Sequence, residues 1–233
     1  MVTYNPRDWI KLIIHVQKAD TLRTLGPSLV LISLITAAVA YFKDHYIFSK
    51  IPDNLAVFHQ ISGFIISLVL VFRINSAYDR WWEGRKLWGA LINHSRNLSI
   101  KLNAIFPPED RGLRKELQAL ISNYAFCLKE HLRGKSAEDL LEYNAEFSRE
   151  AFLNAAHKPN FIAAHLNARI FHHLKGYKLS DAVYLTLNQN LNDFTDVCGA
   201  CERIKSTPIP FSYSIFIKKI IFIYIITMPI TFG

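Results

Sequence analysis

This chain is short of the features that stabilise small secreted domains, and it has none of the loops that mark common catalysis. Its 233 residues include three cysteines, Cys127, Cys198 and Cys201. Three cannot build a disulfide framework, and a reducing cytosolic face is the setting that suits them. No phosphate-binding glycine loop, no G-x-S-x-G nucleophile turn and no H-E-x-x-H zinc motif occurs. No segment alternates apolar and polar residues as a half-buried strand would, which points to an all-α protein. Internal repeats and low-complexity linkers are absent as well. The first 24 residues (MVTYNPRDWIKLIIHVQKADTLRT) are broken by charges and read as an amphipathic helix rather than a cleavable signal. That helix either lies in a membrane interface, with Trp9 at headgroup level, or packs on the rest of the fold. Acidic residues number 19 against 27 basic ones, a net charge of +8. Such a balance suits nucleic acid, anionic lipid or an anionic permeant.

Apolar residues are plentiful instead. They make up 51% of the chain at a mean hydropathy of +0.13, beside 20% charged residues. The two populations are segregated along the chain. Residues 25–42 (LGPSLVLISLITAAVAYF) carry no charge, close to the roughly 20 apolar residues that a spanning helix needs. A polar connection with Pro52 leads to a second apolar segment, residues 55–72, interrupted only by His59, Gln60 and two serines. The pair reads as a transmembrane hairpin; two buried helices of a soluble core are the alternative. Basic residues cluster before the first segment and after the second, at Arg73, Arg80, Arg85 and Lys86. The connection has only Lys43 and Lys50, offset by Asp44 and Asp53. Both outer flanks, and the N-terminus, are therefore expected in the cytosol.

Residues 73–206 are polar and helical in pattern, enough for a cytosolic helical domain. Helices are expected near 73–106, 109–133, 137–156, 160–175 and 179–206, with Pro107-Pro108, Gly134 and Gly176 as breaks. The second span thus continues to about residue 106. Residues 207–233 open with TPIPFSY and begin a third span, and the chain reads as stopping before a fourth.

The long helix from residue 55 carries the most information. Phe64, Leu68 and Phe72 recur every four residues along one stripe, which then reaches Asn75 or Ser76 and Asp79. A face that turns from bulky apolar to small polar suits a pore wall, and it equally suits ordinary helix packing. In the ionic stretch that follows, Glu83 can reach Arg80 or Lys86, pairs worth only about 0.2–0.5 kcal/mol each. Lys218 and Lys219 either snorkel at the cytosolic interface or face an internal vestibule. Cys198 and Cys201 have a redox spacing but sit inside a helical run, where packing is the simpler role. His94, His172 and His173 lack a second set of ligands, so neither a metal site nor catalytic residues are expected.

One pattern goes further. An apolar hairpin runs into Arg80-Trp81-Trp82, and a later helix holds Thr186-Leu187-Asn188, Leu191-Asn192-Asp193 and Cys201-Glu202-Arg203-Ile204 ahead of Thr207-Pro208-Ile209-Pro210-Phe211. Over essentially its whole length the chain resembles the bestrophin ion channels, in particular their bacterial branch. The resemblance implies a homopentamer around a central pore, with four transmembrane helices per subunit, in the inner membrane. It implies a hydrophobic neck at Phe64, Leu68 and Phe72, and a cytosolic constriction at Ala182 that is wider than in relatives with bulkier side chains there. Asp79, Lys218 and Lys219 are candidate vestibule charges. The implied function is passive passage of small monovalent ions, chloride by family default and cations in some bacterial members. No cofactor, metal or nucleic-acid partner is implied, only permeant ions, lipid and further copies of the chain. A membrane-anchored scaffold or nucleic-acid binder is the alternative, and a membrane enzyme using His94, His172 or His173 is weaker still.

Overall fold

A computed structural model describes residues 20–45, 54–208 and 210–232. The amphipathic helix expected over residues 1–24 lies outside these apart from its end, as does most of the polar connection with Pro52. Among the described residues every regular element is helical. They are α1 (Asp20–His45), α2 (Asn54–Ile105), α3 (Arg111–Arg133), a 3-10 turn (Glu138–Leu140), α4 (Arg149–Asn154), α5 (Lys158–Gly176), α6 (Asp181–Ser206) and α7 (Phe211–Phe232). The chain divides into two compact units, Met1–Arg73 with Pro210–Gly233, and Ile74–Ile209. Helix α2 contributes its first part to one and the remainder to the other.

The first unit comprises α1, the start of α2, and α7. Thr24–Phe42 has a mean hydropathy of 2.0, and the apolar windows of the other two helices reach 2.2 and 1.7. Each is long and apolar enough to cross a membrane. Their few hydroxyls turn inward to the helix backbone: Ser33 donates to Leu29 O (2.9 Å), Thr36 to Ile32 O (2.8 Å) and Ser67 to Gly63 O (2.8 Å). Such self-pairing suits a solvent that offers no partners. Helix α1 packs on α7, yet the unit buries little beyond His59, Ile217 and Pro229. Leu29, Val30, Leu34, Phe64 and Phe222 all stand exposed. Apolar surface of that extent is stable only when covered by lipid or by neighbouring chains. This is a membrane protein.

The second unit has an ordinary hydrophobic core. Leu91, Leu98 and Leu102 come from α2, and Leu113, Leu117, Leu120, Tyr124 and Leu128 from α3. Ile162, Leu166, Ile170 and Leu174 form the stripe of α5; Leu187, Leu191, Phe194 and Cys198 that of α6. Steps of three and four place each set on one helical face. The ends are capped by side chains. Asp110 Oδ1 accepts from Leu113 N–H at the start of α3, and Ser148 Oγ from Ala151 N–H at α4. Helix α3 closes on Gly134, whose φ of 68° needs a glycine or a strained substitute.

The single helix expected over 137–156 does not form. Asn123 captures the backbone of Glu142 from both sides, donating to its carbonyl (2.7 Å) and accepting from its N–H (2.9 Å). Asn144 Oδ1 accepts from Glu146 and Phe147 N–H, which fixes a turn. Phe147 and Phe152 are thereby delivered into the core, at 1% and 0% exposure.

Leu166 sits at the centre of this core with 1% of its surface exposed. Leu166→Ala should destabilise the protein by about 2–5 kcal/mol. The check is a fall of several degrees in the Tm of protein purified in detergent.

Candidate functional site

Phe64, Leu68 and Phe72 all lie on α2 in the first unit and are exposed at 69%, 46% and 56%. The same helix is stitched to α7 by other residues. His59, at 1% exposure, places Nε2 3.1 Å from Thr227 Oγ1 and Nδ1 3.1 Å from Thr231 Oγ1. Tyr213 Oη donates to Val69 O (3.2 Å), and a Cβ on Gly63 would come within 3.4 Å of Tyr224 Oη. At about 100° per residue, Leu68 lies on the far side of α2 from His59, while Phe72 lies within about 60° of Val69. All three side chains of the stripe are exposed. Lys218 and Lys219 are exposed on α7, beside Ile215 and Phe222.

Asp79 and Ala182 belong to the second unit. Both are exposed, and Ala182 occupies the first turn of α6, its N–H donating to the capping Ser180 Oγ. Within this unit α2 and α6 run in opposite directions and are laced by side chains along their length. Arg80 donates to Ile204 O (2.6 Å) and to Thr207 O. Arg203 pairs with Glu83 (2.7 Å), and His94 Nδ1 sits 2.8 Å from Asp193 Oδ2. Lys101 donates to Asn190 Oδ1 (2.6 Å) and Thr186 O (2.8 Å). Glu83 therefore pairs across to α6 and not with Arg80 or Lys86 of its own helix. Asp193 and Arg203 of the α6 motif, with the carbonyls of Thr186, Ile204 and Thr207, thus tie α6 to α2.

Cys127, Cys198 and Cys201 are buried thiols of the same core. Burial pushes Cys127 and Cys198 up to about 12, which keeps them protonated and unreactive. His173 is lowered by burial and by the charge of Arg169, itself held by Glu116 at 2.5 Å. One cluster went unforeseen. His131, His157 and Glu202 bring a ligand atom each within 4.8 Å of one another. They come from three elements with no regular spacing, so only the fold reveals them.

Residues 1–233 match the family described as Bestrophin_2, bacterial/fungal bestrophin protein. The voltage-dependent anion channel-forming protein YneE of Escherichia coli strain K12 is 31% identical over 230 residues, covering 98% of this chain and 74% of that protein. A voltage-dependent anion channel-forming protein of Nostoc is 34% identical over 185 residues, covering 77% of this chain and 60% of the relative's length. Among solved structures, a point mutant of a bacterial bestrophin homolog from Klebsiella pneumoniae has the same fold. Its TM-score is 0.79 at 23% identity, over 90% of this chain and 78% of that one.

The lacing between α2 and α6 is unequal in strength. Lys101→Met removes a charged donor from Asn190, which is only 6% exposed, and should cost about 1.5–3 kcal/mol. Glu83→Gln breaks a pair whose side chains are 42% and 68% exposed, and should cost less than about 1 kcal/mol. Tm shifts measured side by side in detergent check the order.

Proposed function

The chain belongs to the bacterial and fungal bestrophin family, and on that premise we propose that it is a passive ion channel whose pore neck is formed by Phe64, Leu68 and Phe72. One observation carries the neck: those three side chains, four residues apart on α2, are exposed at 69%, 46% and 56%. Exposed apolar side chains need a covering, and a pore axis shared by several copies is one that water and ions can enter. Five copies arranged around that axis is the assembly the family implies.

A ring of Phe and Leu holds ions back by dewetting and offers them no coordination. The sign of the carried charge is then decided elsewhere along the pore. We assign that role to Asp79, Lys218 and Lys219, and take Ala182 as a second, wide aperture on the cytosolic side. The names of the relatives and the net charge of +8 favour anions, with chloride as the abundant case. In this reading the unit Ile74–Ile209 is the cytosolic domain, α1, the start of α2 and α7 cross the inner membrane, and the N-terminus is cytosolic. The bonds of Arg80, Lys101 and Arg203 serve assembly, with no catalytic step.

The test is the triple variant Phe64→Ala, Leu68→Ala, Phe72→Ala in planar bilayers. Removing the apolar ring should raise conductance, about tenfold for each 1.4 kcal/mol taken from the barrier. Currents indistinguishable from the parent would exclude these residues as the neck, and a parent protein that passes no current would exclude the channel. Reversal potentials across a chloride gradient should follow the chloride equilibrium potential.

A further inference from the structure

Three elements of the second unit end on one carboxylate. His131 lies in the last turn of α3, just before the closure at Gly134. His157 is the cap residue that starts α5. Glu202 comes from α6, one helical turn before its end. A carboxylate oxygen accepts, so both rings present an N–H to it. His131 Nε2 is 2.6 Å from Glu202 Oε1, and His157 Nε2 is 2.8 Å from the same atom. The two rings lie 4.9 Å apart, centroid to centroid. All three side chains are partly open, at 30%, 34% and 35% exposure. A cavity of about 340 Å³ is lined by His131.

We propose that His131, His157 and Glu202 are a binding site for a divalent transition metal of the zinc class, which clamps α3, α5 and α6 together. Two imidazole nitrogens and one carboxylate oxygen are the donors that zinc prefers, while calcium and magnesium call for oxygen alone. Metal–ligand bonds of about 2.0–2.2 Å in tetrahedral array hold neighbouring donors about 3.3 Å apart. The present hydrogen bonds therefore open by roughly half an ångström as an ion replaces them, a shift that partly exposed side chains can make. The fourth position is left to water. Lys158, also at the cavity, has its ammonium tied to Leu153 O (3.0 Å) and Ala155 O (2.9 Å).

The protons balance without an outside partner. Neutral His157 now carries its proton on Nε2, because Nδ1 accepts from Asn160 N–H at 3.2 Å. Metal takes the Nε2 lone pair, so the ring proton moves to Nδ1 and the contact with Asn160 N–H is released. His131 makes the same exchange of tautomer. Binding thus loosens the first turn of α5 while joining it to the other two helices, and this signature separates metal from a merely hydrogen-bonded cluster.

The assignment does not rest on the channel reading and is tested separately. The full chain, free of any polyhistidine tag, is titrated with zinc chloride by calorimetry in detergent. One Zn²⁺ should bind per chain with a Kd on the order of 1 μM, weaker than four-ligand structural sites. His157→Asn is the informative variant, because asparagine is a good helix cap and no substitute for the ligand nitrogen. It should keep the parent's far-ultraviolet dichroism. Its zinc affinity should fall at least about 100-fold, no less than the loss from removing an outer-shell partner, and Glu202→Gln should behave alike. Amide exchange at Asn160 should speed up in the parent when zinc is added. No saturable binding, or binding that both variants retain, overturns the site, and so does displacement of zinc by an equal concentration of calcium.

Discussion

Hydrocarbon offers no hydrogen-bond partner, so each polar group placed in it must find one inside the protein. The first unit follows from that constraint. Its backbone is helical wherever it is described, and Ser33, Thr36 and Ser67 return their hydroxyls to carbonyls of their own helices. The imidazole of His59 meets the requirement between helices. His59 Nδ1 lies 3.2 Å from Leu55 O, which can only accept, so Nδ1 carries a ring proton, and Nε2 lies 3.1 Å from Thr227 Oγ1. Both ring nitrogens thus have a polar neighbour inside the protein. The contacts of His59 with Thr227 and Thr231 tie the start of α2 to the end of α7.

In the second unit water competes for every polar group, and apolar burial does the main work. Leucine and phenylalanine stripes of α3, α5 and α6 close on one another, and each fully buried side chain contributes about 1.5–3 kcal/mol. The ionic contacts between α2 and α6 add less energy and more definition. Arg80 shows why. Its guanidinium meets two main-chain carbonyls where α6 ends, Ile204 O and Thr207 O, which no longer have helical partners. A fixed fork of donors is suited to two acceptors at once, and a lysine there would serve one of them poorly.

How much of this was legible in the sequence differs from residue to residue. Helices of constant period were plain, and the one expected over 179–206 spans Asp181–Ser206. The stripe of Phe64, Leu68 and Phe72 was visible as a pattern, but which residues of α2 meet α7 depends on partners more than 140 positions away along the chain. The failure at 137–156 has a specific cause: Asn123 and Asn144 compete for backbone groups that helix propensity assigns to the helix. Glu83 was assigned neighbours on its own helix because local spacing can show no others. His131, His157 and Glu202 were illegible for the same reason, since a site assembled from a helix end, a helix cap and a third helix leaves no spacing to read.

The α6 motif that carried the resemblance acts differently from what its position before a pore helix suggests. Asp193, Arg203 and the carbonyls of Ile204 and Thr207 all meet side chains of α2, as does Asn190 between the motif's parts. Changing one of these residues disturbs two helices, whereas an exposed apolar residue such as Leu185 is held by no such bond. Phe64, Leu68 and Phe72 have no side-chain donor or acceptor, so a change of bulk at the proposed neck removes none of the polar contacts between α2 and α7. On the proposed reading one scaffold can then carry necks of different bulk, and so different barriers to ions.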